Sequence, residues 1–424
     1  MSKRIITPKK KKDNVFIIQN TWYNYYAGYS DSFILKYLKK YSSMFIDPIV
    51  LDPWTGSGTT NIVANYLNLK NIGLDINPVM IIISKAKLYD SRDVDIDYLF
   101  NCLSVEKINK FNQFMTSDYL FNWYDDDTVE FIRKFEALLQ IEILSFNKIC
   151  PLILRNINLI DSKTAFYYLI LFKTVKSFSK SLIGSNPTWI KTKNITNKII
   201  IDSNDFIKEF ITTAQQLKNC FVSIQNLTSF GLSDSKNTFL NDESIDIVLT
   251  SPPYCTRIDY VVLTIIELSI IGFSKKEIIN LRKSMIGTTK ILSDMNFDNT
   301  DCFISEKVKT ILKKIKYHDS KASQCYYYKT YYQYFINMQE SINEINRITK
   351  KNGIVMFIVQ DSYFKDIFIN LKRCLVETFS FYNFSLVEAI PFKVSNNMRY
   401  LNTNSRKYKD KVKVYEKILV FRKE

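Results

Sequence analysis

Residues 49–60, with the sequence IVLDPWTGSGTT, decide the fold. Three apolar residues lead into a turn that contains Gly56 and Gly58, and the residues that follow have helical character. The next segment, NIGLD at 71–75, has the composition of a second short strand and ends in Asp75. This succession of strand, glycine turn, helix and strand predicts part of an α/β fold with a doubly wound, Rossmann-like sheet.

Further core elements follow at a distance along the chain. Residues 244–249, SIDIVL, predict a buried strand that runs directly into TSPPY at 250–254, where two prolines end it. Apolar periodicity predicts helices over 261–273 and 331–349. Gly353 is the expected turn after the second of these helices, with strands at 354–360 and 416–421.

The intervening segments differ in composition from these core elements. Long apolar and charged periodicities over 91–225 predict a large, mainly helical insertion, and the polar, Lys-rich stretch 274–329 predicts a second, smaller one. Residues 1–13 are expected to be a flexible basic arm. The predicted catalytic core therefore consists of 14–90, 226–273 and 330–424.

The chain is strongly basic, which favours a polyanionic partner. Its 424 residues include 58 Lys and Arg against 42 Asp and Glu, a formal net charge of +16. Nucleic acid is the natural partner for such a charge. An AT-rich genome that fills solvated positions with Lys and Asn is the competing explanation of the excess.

Residue usage also limits the chemistry. The seven cysteines show no paired C-x-x-C spacing and there is one histidine, so neither a metal site nor catalysis by a histidine base is expected. No stretch reaches the roughly 18 apolar residues of a membrane span. The N-terminus lacks the apolar segment of a signal peptide. We therefore expect reduced thiols and a cytoplasmic location, without a membrane partner.

Two motifs carry the expected chemistry. A glycine turn at a helix start lets backbone N–H groups approach a carboxylate or phosphate, and the acidic Asp75 after the next strand suits ribose hydroxyls. In the second motif, the Ser251 hydroxyl and the Pro252 carbonyl can accept hydrogen bonds from an amino group, whose nitrogen is otherwise a poor nucleophile. Tyr254 can stack on a base that has left the duplex.

Together these motifs resemble motifs I and IV of the DNA amino-methyltransferases, and 22–30 resembles the cofactor-flanking motif X of that family. The resemblance covers roughly half the chain. It implies S-adenosyl-L-methionine as cofactor, no metal, and catalytic roles for Ser251, Pro252, Pro253 and Tyr254. It implies cofactor contacts from Tyr26, Asp52, Trp54, Gly56, Ser57, Gly58, Thr59, Asp75, Ile76 and Asp234.

The Ser-Pro-Pro-Tyr sequence is similar to enzymes that methylate N4 of cytosine in double-stranded DNA, whereas N6-adenine enzymes usually carry Asn or Asp first. No proline precedes a cysteine, so C5-cytosine chemistry is not expected. An N6-adenine enzyme, an RNA base methyltransferase and a non-catalytic nucleic-acid binder remain alternatives. The resemblance implies action beside a restriction endonuclease or as an orphan enzyme, and the oligomeric state stays open.

DNA contacts are expected near the catalytic motif and in the insertions. Candidates near the motif and before the last strand are Arg257, Tyr260, Asn397 and Arg399. Sequence recognition is assigned to the 91–225 insertion, because the core has no spare element for the major groove. The competing element is 274–329, with Arg282, Lys283 and Lys290.

Overall fold

A seven-stranded sheet forms the centre of the protein in the computed structural model, which describes residues 16–24, 28–111, 117–182, 190–191, 197–221, 225–255, 258–293, 295–393 and 415–424. Its strands in chain order are β1 Ile49–Asp52, β2 Lys70–Asp75, β3 Thr228–Leu232, β4 Ile245–Thr250, β5 Thr349–Gln360, β8 Phe384–Lys393 and β9 Tyr415–Lys423. A separate hairpin consists of β6 Ser362–Phe364 and β7 Ile367–Ile369.

The strand order in space is β3-β2-β1-β4-β5-β9-β8. Strands β1 to β5 run parallel, and β9 is antiparallel to both β5 and β8. The order reverses between the adjacent strands β1 and β4, which makes their carboxyl ends a topological switch point. The predicted doubly wound sheet is confirmed, and its switch point brings together the two loops that carry the motifs.

Helices cover both faces of the sheet. They are α1 Asp31–Ser42, α2 Thr59–Tyr66, α3 Pro78–Ala86, α4 Ile96–Cys102, α5 Val105–Ile108, α6 Asp126–Leu138, α7 Ser162–Ser177, α8 Ser203–Lys218, α9 Ile265–Ile270, α10 Lys275–Ser284, α11 Glu306–Lys316, α12 Tyr328–Ile348 and α13 Leu371–Phe381. Alternate residues of the strands face opposite ways, so Val50 packs against α1 and α2 while Leu51 packs with α11, α12 and α13.

The described part of the 91–225 segment is mainly helical, in agreement with the prediction, and contains one isolated bridge between Tyr124 and Ile199. Its helices share one continuous hydrophobic core with α3 and α9. Charged side chains are buried in the same region: Arg133 contacts Asp118 and Glu136 and donates to the carbonyls of Ser269 and Ile270. The segment is therefore packed tightly into the body of the protein.

Several element predictions need correction. The helix expected over 261–273 is a 3₁₀ turn at Val262–Thr264 followed by the short α9, which ends before Gly272 at φ 98°. The turn expected at Gly353 lies inside β5, where the neighbouring Asn352 at φ 63° accompanies a shift in the pairing with β4. β3, α13, β8 and the β6–β7 hairpin were not predicted from the sequence.

The basic arm predicted for 1–13 lies outside the described residues. Within the part of the chain that the structure describes, no helix combines the length and apolar character needed to cross a bilayer.

Candidate active site

A pocket opens at the switch point, where the loops after β1 and β4 meet. Most of the residues predicted for cofactor binding and catalysis line it, namely Trp54, Gly56, Ser57, Thr59, Asp75, Ile76, Asp234, Ser251, Pro252, Pro253 and Tyr254.

The glycine turn has the backbone conformation that its sequence requires. Gly56 and Gly58 have φ angles of 50° and 80°, in the left-handed region that side chains with a Cβ rarely adopt. A Cβ on Gly58 would also lie 2.8 Å from the Ser84 Oγ, which donates a hydrogen bond to the Gly56 carbonyl. The turn is therefore stabilised by its contact with α3, and α2 begins directly after it.

Asp75 lies at the end of β2, with its carboxylate bordering the pocket. One oxygen accepts the Gly56 N–H at 3.0 Å and the other accepts the Asn77 N–H at 2.9 Å. Burial raises the pKa of the Asp75 carboxyl to about 6, although these hydrogen bonds act in the opposite direction. Each carboxylate oxygen has a second lone pair, so both can still accept a hydroxyl from a ligand.

Asp52, predicted to touch the cofactor, does not line the pocket, because its carboxylate is used within the protein. It accepts hydrogen bonds from the Tyr29 hydroxyl at 2.8 Å, the Thr250 hydroxyl at 2.6 Å and the Trp54 N–H at 3.1 Å. Burial raises the pKa of Asp52, and these hydrogen bonds oppose the rise. Asp52 thus connects the ends of β1 and β4 and stabilises the loops that line the pocket.

The TSPPY loop is fixed by the strand and helix beside it. The Ser251 hydroxyl donates to the Ile358 carbonyl of β5 at 3.2 Å, and the Pro253 carbonyl accepts the Tyr334 hydroxyl of α12 at 3.2 Å. A hydroxyl has one hydrogen and two lone pairs. Because its hydrogen points to β5, the Ser251 oxygen offers lone pairs to a partner.

Tyr254 is held at both ends. Its backbone N–H donates to the Tyr260 hydroxyl at 3.2 Å, and its own hydroxyl donates to Glu416 of β9 at 3.1 Å. Burial raises the pKa of Tyr260 to about 12, so this hydroxyl keeps its hydrogen at neutral pH. Tyr260, predicted as a DNA contact, lines the pocket and positions the loop.

Four further predicted site residues lie outside the described residues, namely Tyr26, Arg257, Asn397 and Arg399. Gly58 is described but lies behind the pocket wall, against Ser84. It shapes the turn, and its predicted cofactor contact stays a prediction.

Several pocket residues were not singled out from the sequence, among them Asn77, Met80, Ser233, Ser235, Ser284, Met285 and Ile286. The sequence did contain a signal for Asn77. It precedes Pro78, a pattern typical of a helix start, and its side chain accepts the Val79 N–H to cap α3. Residues 284–286 belong to the second insertion, where no local pattern indicated the pocket.

Comparison with known proteins shows which proteins this chain resembles. Residues 5–86 match the N6/N4 methyltransferase family model, described as DNA methylase. The Type II methyltransferase M.BsoBI of Geobacillus stearothermophilus is 26% identical, covering 82% of this chain and 69% of its own. M.AvaI of a Nostoc strain is 25% identical over 68% of this chain and 61% of its own. M.MvaI of Kocuria varians is 22% identical over 81% of this chain and 77% of its own.

The resemblance to DNA amino-methyltransferases is confirmed. The matches support an S-adenosylmethionine-dependent DNA amino-methyltransferase, in a family whose name covers both N4 and N6 products. The pocket fits that cofactor. It offers the buried Asp75 carboxylate for ribose hydroxyls, a glycine turn at the start of α2 for the carboxylate, and Asp234 after β3.

Proposed function

We propose that this protein methylates N4 of cytosine in double-stranded DNA. The observation that carries the proposal is that Ser251 and Tyr254 line the same pocket as the glycine turn and Asp75. A base amino group and a methyl donor can therefore meet there. The target base must leave the duplex to reach such a pocket, since its amino nitrogen is otherwise paired and stacked.

The cofactor, when bound, supplies a methyl group on a positively charged sulfur. Asp75 and the backbone of the glycine turn would hold its ribose and carboxylate. The protein's own residues then orient the acceptor. The Ser251 oxygen accepts one amino hydrogen, which draws the nitrogen lone pair out of the ring and toward the methyl group.

The Tyr254 ring provides a flat surface for the flipped base, and Glu416 fixes the direction of that ring. No histidine, thiolate or metal is assigned a role in this mechanism. Position and hydrogen-bond polarity take the place of a strong base. Methylation leaves the amino nitrogen positively charged, and its surplus proton passes to solvent because such a nitrogen is strongly acidic. A cytoplasmic site of action, beside a companion endonuclease or alone, is part of the same proposal.

The choice of N4 of cytosine rests on Ser251 at the first position of the loop, and its test is direct. DNA incubated with the protein and S-adenosylmethionine, then digested to nucleosides, should contain N4-methylcytosine by mass spectrometry. If the sample contains N6-methyladenine alone, the proposed target base is wrong, whereas the proposed DNA methyltransferase activity still stands. Transfer to RNA in preference to duplex DNA would overturn the substrate.

A further inference from the structure

Residues near the start of the second insertion form one wall of the pocket. Ser284, the last residue of α10, lines the pocket together with Met285 and Ile286, which follow directly. Met285 and Tyr254 pack against the same small apolar cluster, which consists of Ile258, Tyr260 and Leu263. The second insertion therefore reaches the place proposed for the flipped base.

Specific contacts fix this wall in place. The Arg282 guanidinium donates twice to one Asp259 oxygen, at 3.0 and 2.6 Å, and the other oxygen accepts the Val262 N–H. Further along, the buried Gln333 side chain accepts the Leu292 N–H and donates to the Lys290 carbonyl. Arg282, predicted as a DNA contact, is thus a positioning residue that anchors α10 beside the catalytic loop.

The outward face of α10 is basic. Ile278 is buried, whereas Lys276, Asn280 and Lys283 are exposed and lie at i, i+4 and i+7 on the opposite face. Neither of these lysines has an ion-pair partner among the described residues. Lys290, beyond the wall, is exposed as well. In α11, Lys309 pairs with Glu306 and Lys316 pairs with Asp298, while Lys313 and Lys314 are exposed.

The 91–225 insertion also carries exposed lysines, among them Lys163, Lys180 and Lys208, but it differs in its relation to the pocket. None of its described residues lines the pocket. Two basic side chains of this insertion already have partners, since Lys176 pairs with the buried Glu267 and the Arg155 guanidinium lies 3.9 Å from the centre of the Phe146 ring. Pocket access and unpaired positive charge coincide in the second insertion.

We propose that the segment from α10 to Leu292 is the DNA-contacting element, in place of the 91–225 insertion. Lys276, Lys283 and Lys290 contact phosphates of duplex DNA, and Met285 forms the side of the base pocket next to Tyr254. The inference rests on the proposed function and adds the surface that presents the DNA. Duplex DNA fits because phosphates complement the unpaired lysines and the wall continues into the catalytic loop.

The test compares two matched triple variants of the full chain. One is Lys276→Gln/Lys283→Gln/Lys290→Gln, and the control is Lys163→Gln/Lys180→Gln/Lys208→Gln, which removes three exposed lysines of the first insertion. The salt dependence of binding is measured by fluorescence anisotropy with a mixed-sequence duplex. Each lost phosphate contact reduces the slope of log K against log salt concentration by about 0.9 in magnitude. The slope of the first variant should therefore be smaller than that of the wild type by about two to three.

The control variant should keep the wild-type slope. Equal losses in the two variants, a loss in the control alone, or no loss in either would overturn the inference. A wild-type protein that binds no duplex, or that binds a hairpin RNA of equal length more tightly, would instead overturn the proposed function. The two failures are therefore distinguishable.

Replacement of Met285 tests the wall itself. Met285→Ala should lower single-turnover methylation of genomic DNA by about tenfold or more, and Met285→Leu should restore most of the rate because it refills the volume. Duplex affinity should change little in both variants. A wild-type rate for Met285→Ala would show that Met285 does not form part of the base pocket.

Discussion

Ser251→Ala is expected to slow methyl transfer by about 100- to 1,000-fold while leaving the protein folded and able to bind S-adenosylmethionine. The hydroxyl donates to the Ile358 carbonyl, which directs its lone pairs toward the base amino group. Removal of one preorganised hydrogen-bonding group from an active site commonly costs about 100- to 1,000-fold in rate. Single-turnover transfer to genomic DNA at saturating cofactor is the measurement.

The matched control is Ser385→Ala, the same substitution at an exposed position on β8. It should retain the wild-type rate, and both variants should bind the cofactor normally by calorimetry. If Ser251→Ala transfers methyl groups at the wild-type rate, the role assigned to this hydroxyl is wrong. If it also loses cofactor binding, the serine belongs to the cofactor site.

Tyr254 offers a graded version of the same experiment. Tyr254→Phe keeps the ring and loses the hydrogen bond to Glu416, so a moderate loss of rate is expected. Tyr254→Ala removes the stacking surface, which is worth about 1 to 3 kcal/mol per base in other proteins. The alanine variant should therefore be the slower of the two. Equal rates would exclude stacking as the function of this ring.

The switch point could be predicted from the sequence because its two loops carry unusual local sequence. Glycine is scarce in this chain, with nine in total, so two glycines within one turn indicate a backbone constraint. Two consecutive prolines after a buried strand mark the second loop. The Rossmann-like order then requires both loops to meet at the same sheet edge.

Other features depend on contacts between distant segments. Asp52 has the same local signal as Asp75, an acid at a strand end, yet only the packing of Tyr29 and Thr250 against it shows that it faces inward. Arg282 has the charge expected of a DNA contact. Its pairing with Asp259 depends on how α10 packs beside the catalytic loop, which the local sequence does not reveal. The wall at Met285 likewise follows from tertiary packing, which local periodicity does not encode.

Asp75 gives a prediction with a distinctive pH dependence. Its carboxyl has a pKa of about 6 in the free protein, raised by burial. Ribose hydroxyls donate to the ionised form, so cofactor affinity should level off above about pH 7 and fall as the pH decreases through about 6. At pH 5 the ionised fraction is about one-tenth, and the affinity should be about tenfold weaker than at pH 7.

Asp75→Asn should remove this pH dependence and weaken binding at pH 7, since hydrogen bonds to a charged group are worth about 1.5 to 3 kcal/mol. The control is Asp234→Asn, which also changes a pocket carboxylate but leaves Asp75 and the buried Asp52 in place. It should bind more weakly with the wild-type pH profile. Calorimetry between pH 5 and 7, with a thermal melt of each variant, makes the comparison. A profile for Asp75→Asn that still falls toward pH 5 would show that another group titrates, and Asp75 would lose its assigned contact with the cofactor.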